Sequence, residues 1–69
     1  MKTLQISLAA ARVNAGMTQD DVAKKLRVSN KTVGNWEKGS VIPNAATMYT
    51  LASLYGIPEN NIILPNKYT

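Results

Sequence analysis

The chain has 69 residues, enough for one small domain that buries only about 60% of the surface its unfolded form exposes, so one modest core is expected. Eight Lys and Arg against four Asp and Glu leave a net charge of +4, which favours an anionic partner, either nucleic acid or a membrane surface. There is no Cys and no His, which excludes disulfides, thiol catalysis, thiolate or imidazole zinc sites and imidazole acid–base work.

The first predicted helix runs from about Leu4 to Ala15. Leu4, Leu8, Ala11, Arg12 and Ala15 fall on one helical stripe, and Gly16 suits the left-handed residue that closes it. The second starts at Thr18 as N-cap, with Asp21 in an approximate capping-box position. Asp20 and Asp21 sit at its positive end, and Lys24, Lys25 and Arg27 at its negative end; Val22, Ala23 and Leu26 form its buried face. A third helix follows Ser29 as N-cap and ends at Gly39, with Val33 and Trp36 inward. The fourth spans about Ala45 to Tyr55, capped by Asn44 and stopped by Gly56, with Met48, Leu51, Ala52 and Tyr55 on one face. A short fifth helix is expected from Pro58, a residue favoured at the first helical position, to near Leu64. No segment alternates with a period of two, so the chain reads as all-α. It forms one domain over residues 1–69, with a mobile tail at 65–69.

The stretch from Thr18 to Gly39 carries the function. Two short helices joined by a tight turn, the second bearing Asn and Lys outward and Val and Trp inward, are the sequence form of a helix-turn-helix and point to double-stranded DNA. A helix in the major groove needs a rigid support, outward side chains that read base edges, and donors that grip phosphates. Val22, Ala23, Leu26, Val28, Val33 and Trp36 supply the support; Trp36 reads as a core aromatic that fixes the angle of the reading helix. At about 100° per residue, Asn30, Lys31, Gly34, Asn35 and Lys38 face away from that support. Asn pairs bidentately with adenine and Lys donates to guanine, which makes Asn30, Lys31, Thr32 and Asn35 the candidate readers. Phosphate grip is expected from the positive end of the second helix with Gln19, and at the other end from Lys38 and the backbone around Gly39 and Ser40. Asp20 and Asp21 oppose the grip unless they turn away from the duplex. Gly34, inside a helix, costs roughly 1 kcal/mol relative to Ala; either it removes a side chain where the helix nears DNA, or the site is a tolerant surface position.

The pieces Gly16-Met17-Thr18-Gln19, Val22-Ala23-Leu26, Val28-Ser29, Thr32-Val33, Asn35-Trp36-Glu37-Lys38-Gly39, Pro43-Asn44 and Leu51-Ala52 with Leu54 occur together in this chain. With them the chain resembles the Cro and lambda-repressor type of helix-turn-helix protein, the XRE family, over about residues 4–64. The resemblance implies a compact five-helix, lambda-repressor-like fold with the helix-turn-helix over about residues 18–38. It further implies a phosphate contact from Gln19, base-reading positions at Asn30, Lys31 and Asn35, and a base or backbone contact from Thr32. It implies a structural pair between Arg12 and Glu37, which explains an Arg on the inward stripe, since a buried Arg is tolerable only when paired. Gly34 stands where many relatives carry a side chain able to touch DNA.

The expected function is sequence-specific DNA binding by a transcriptional regulator, a repressor of phage Cro or repressor type. The alternative is a protein–protein module on the same fold, such as an antirepressor, adaptor or antitoxin, with a regulatory protein as partner. Relatives usually bind as dimers, so a homodimer is expected; Ile57 to Leu64 offers a dimer surface, or Ile62 and Ile63 close the core. With four acids and neither His nor Cys, no enzyme activity, metal or cofactor is expected. The short apolar start, interrupted by Arg12, does not read as a signal peptide, and no stretch reaches membrane-spanning length. A cytoplasmic setting, in a bacterial cell or a phage-infected host, follows as the expectation.

Overall fold

Four α-helices, each opened by a polar cap, organise residues 5–64, the part of the chain that the computed structural model describes. They are α1 (Leu8–Asn14), α2 (Gln19–Leu26), α3 (Asn30–Lys38) and α4 (Ala45–Tyr55). Ser7, Thr18, Ser29 and Asn44 each accept a backbone N–H of the first turn, at 3.1, 3.0, 3.1 and 2.8 Å. Such caps are typically worth about 1 kcal/mol each. Thr18 goes further: its own N–H donates to Asp21 Oδ2 at 2.9 Å, which completes a reciprocal capping box. Gly39 and Gly56 end α3 and α4 in the left-handed region, where a Cβ is penalised. Arg27 ends α2 in the same conformation, φ +59°, although it is not a glycine.

Two expectations about the ends of the chain are corrected. The first helix begins at Leu8, because Ser7 caps it and Ile6–Ser7 is a short strand, β1; Leu4, the expected start, lies outside the described residues. The predicted fifth helix is a single 3-10 turn at Glu59–Asn61 followed by a second strand, β2 (Ile62–Ile63). Pro58 does not enter a helix: with ψ 144° it stands before the turn in an extended conformation. Consecutive β-branched Ile62 and Ile63 favour the extended state. β1 and β2 pair in parallel, Ile6 opposite Ile62 and Ser7 opposite Ile63. The all-α description therefore holds broadly, with four helices and a minimal parallel ladder among the described residues. The tail at 65–69, expected to be mobile, lies outside them.

The core collects Leu8 and Ala11 from α1, Val22 and Ala23 from α2, Val33 and Trp36 from α3, and Leu51 and Tyr55 from α4. Ala52 is buried as well, and Met17, Leu26, Val28, Met48 and Leu54 pack around the cluster half-buried. Strand alternation separates the two terminal isoleucines: Ile62 packs on the core, whereas Ile63 is 47% exposed. Only one of them closes the core.

Candidate nucleic-acid interface

The α2–α3 corner turns through Arg27, Val28 and Ser29. The N–H groups of Arg27 and Val28 both donate to Ala23 O, the latter at 3.0 Å, and Ser29 starts α3 at once. Small Ala23 and Val22 pack into the same cluster as Val33 and Trp36, so the corner is held by apolar contact as well as by its turn. A helix fixed this way presents one face to solvent at a set angle.

Beneath that face lies a polar cluster. Arg12 Nε donates to Glu37 Oε2 at 2.7 Å, Arg12 Nη2 reaches Glu37 Oε1 at 3.5 Å, and Arg12 Nη1 donates to Met17 O at 2.9 Å. Gln19 Nε2 donates to Glu37 Oε1 at 2.9 Å. The Arg12 and Glu37 side chains are only 15% and 8% exposed. Glu37 thus ties α1, the start of α2 and the end of α3 to one carboxylate, and the pairing and hydrogen bonds offset the cost of taking both charges out of water. Arg12 and Glu37 are committed to this cluster rather than to the surface.

The outward residues occupy distinct settings. Asn30 and Lys31 are exposed at the start of α3, and Asn30 Nδ2 donates to Asp20 Oδ1 across the corner at 3.2 Å. Thr32 is half-buried, its hydroxyl 2.9 Å from Ser29 Oγ. Asn35 is half-buried one turn later, and its carbonyl accepts from the N–H groups of Gly39, Ser40 and Val41 at 3.0, 3.0 and 3.3 Å. The backbone donors of Gly39 and Ser40, expected to face phosphate, are therefore engaged in closing α3. Lys38 and the Ser40 side chain remain exposed there. Gly34 lies under Gln19: a Cβ at position 34 would stand 3.7 Å from Gln19 Nε2, an ordinary contact distance.

The helix-turn-helix family model matches residues 8–62, which take in all four helices. The chain belongs to the XRE-type helix-turn-helix family. This helix-turn-helix chain is 32% identical over 56 residues to the HTH-type transcriptional regulator ImmR of Bacillus subtilis, an alignment covering 81% of the chain and 44% of that relative. It is 35% identical over 48 residues to the uncharacterized HTH-type transcriptional regulator MJ0272 of Methanocaldococcus jannaschii, covering 70% of the chain and 73% of that protein. The chain spans less than half the length of ImmR. No solved structure matches it.

Charge on the helix-turn-helix is distributed unevenly. Lys24, Lys25, Arg27, Lys31 and Lys38 are exposed on α2, its turn and α3. Asp21 is held below its ordinary value of 3.8 chiefly by the Thr18 backbone hydrogen bond, with help from the Thr18 side chain, so it stays ionised as part of the cap. Behind the support, burial pushes the Tyr55 phenol up to about 12, reinforced by the Glu37 charge and partly opposed by Arg12. Among the described residues no helix is long and apolar enough to cross a membrane.

Sequence reasoning missed two contacts here, Asp20 to Asn30 and Gln19 to Glu37, and one backbone conformation, the left-handed Arg27. Asp20 and Asn30 are ten residues apart across a turn, a separation no helical or strand period reports. The signal available for Arg27 was positional, since it stands where a helix-ending glycine belongs.

Proposed function

We propose that this chain is a sequence-specific double-stranded DNA-binding transcriptional regulator, acting as a repressor of the phage Cro or repressor type in the cytoplasm of a bacterial cell or infected host. The observation that carries the reading is α3 itself. Its inner face is locked by Val33, Trp36 and the Glu37 cluster, while Asn30, Lys31 and Asn35 point the other way. In this reading α3 enters the major groove; Asn30, Lys31, Thr32 and Asn35 read bases, and Gln19, Lys38 and the Ser40 hydroxyl hold phosphates, the N–H groups of Gly39 and Ser40 being engaged in closing α3. The names of the relatives, both HTH-type transcriptional regulators, support the same assignment. A homodimer would place two copies of α3 on half-sites about one helical turn apart.

The deciding experiment is selection of binding sites from random duplexes, followed by a salt titration on selected and scrambled sites. The reading expects a strong preference for the selected sequence and an affinity that falls as salt rises. Failure to bind any duplex at any salt would end it.

A second reading, a protein-binding module on the same fold, is favoured by α4. That helix carries no charged residue, and its outer side leaves Tyr49 67% exposed, near the exposed Val41 and Ile42 in sequence. Tight binding to a protein partner without duplex binding would select this reading.

A further inference from the structure

Asp20 is an acid in the first turn of α2, the helix end that the proposed reading turns toward phosphate. Its presence is not required for capping, because Asp21 already forms the capping box with Thr18. The exposed carboxylate instead accepts a hydrogen bond from Asn30 Nδ2 at 3.2 Å. We propose that Asp20 is a positioning residue that fixes the amide of Asn30 so that it selects adenine over guanine. The inference rests on the base-reading role of Asn30 proposed above.

An ionised carboxylate only accepts, so the amide nitrogen of Asn30 must face it and the amide oxygen must take the other corner of the planar group. One N–H is then occupied by Asp20, and the outward edge keeps an acceptor and the remaining N–H. Adenine offers the complementary pair in the major groove, a donor at N6 and an acceptor at N7. Guanine offers two acceptors, O6 and N7, so the fixed amide oxygen would meet an acceptor. Without Asp20 the amide is free to turn over and offer its nitrogen to guanine. A carboxylate near the duplex weakens binding to every sequence by repelling phosphate, and it sharpens the choice at one base pair. A helix-dipole role for Asp20 would change stability but would not single out a base pair.

The test uses the full chain, a selected duplex, and the same duplex with each of the other bases at every position. Asn30→Ala first marks the base pair that Asn30 reads. Asp20→Ala and Asp20→Leu, neither of which offers an acceptor, are then expected to lower the adenine-over-guanine ratio at that base pair by about tenfold, within the discrimination a good bidentate pair provides. Ratios at other positions should hold, and affinity for random duplex should rise. Thermal melts of both variants report folding, and the Leu variant, which keeps the shape of the side chain without its acceptor, keeps the test open if the Ala variant is unstable. An unchanged ratio at the marked base pair in a folded Asp20 variant overturns the inference and leaves base reading by Asn30 intact. If Asn30→Ala changes no single base pair, the reading role fails and the inference fails with it.

Discussion

Arg12 and Glu37, 25 residues apart in the chain, meet at 2.7 Å and join α1 to the end of α3. Gln19 brings the first residue of α2 onto the same carboxylate. The angle of α3 is therefore set by a polar cluster as well as by the packing of Val33 and Trp36.

Removing one partner leaves the other charge buried. Arg12→Ala and Glu37→Ala are each expected to destabilise the fold by about 3–5 kcal/mol. An apolar double replacement, Arg12→Met with Glu37→Leu, should cost much less than the sum, since it leaves no orphaned ion. Urea denaturation of Arg12→Met, Glu37→Leu and their double closes the cycle; additive losses would mean that the two charges are not coupled.

Arg27 holds a left-handed conformation that glycine adopts without steric cost. Arg27→Gly should raise stability by about 0.5–1 kcal/mol, the steric relief being partly offset by the greater freedom of glycine in the unfolded chain. A lower melting temperature would show that the Arg27 side chain stabilises the turn by more than its backbone costs.

Gly34 sits mid-helix with room for a methyl group in contact with the Gln19 amide. Gly34→Ala should therefore stabilise the protein, by up to about 1 kcal/mol. Duplex binding by the same variant separates the two accounts of this residue. A large affinity loss in a more stable protein marks a close approach of α3 to DNA, and unchanged affinity marks a tolerant surface position.

Asn35 and Gln19 should differ in kind. Asn35→Ala is expected to cost about 1–3 kcal/mol on the selected site and to relax preference at one base pair. Gln19→Ala should weaken binding to selected and random duplexes alike, as a phosphate contact does. Equal loss of Asn35→Ala binding on both duplexes, or a Gln19→Ala effect confined to one base pair, would reverse the assignments.

Alkaline pH should act through Tyr55. Its phenol titrates near 10.0 when exposed and at about 12 in the folded chain. Below pH 10 both states keep the proton and the full stability is present. Between about 10 and about 12 the unfolded chain releases it first, so rising pH favours unfolding, by on the order of 2 kcal/mol in total. Thermal melts across this range should show the loss, and Tyr55→Phe should remove most of it; an equal alkaline loss in the Phe variant would assign the effect elsewhere.

The helices were legible because their signals are local. The N-caps at Thr18, Ser29 and Asn44, the closing residues Gly39 and Gly56, and the inward spacing of Val33 with Trp36 each act within a turn or two of chain. The sequence by itself therefore determined where α2, α3 and α4 lie and which faces they bury, and its resemblance to the XRE family agrees with the family to which the chain belongs. The tertiary structure alone decided the rest. The pairing of Ile6 with Ile62 converts both ends of the described chain from helix to strand, because a two-residue ladder is too short to leave a periodic pattern and draws its partner from 56 positions away. The hydrogen bonds of Gln19 to Glu37 and of Asn30 to Asp20 likewise depend on how α2 crosses α3. Residue identity supplies the donors and acceptors, but only folding decides which of them meet and which are left facing outward.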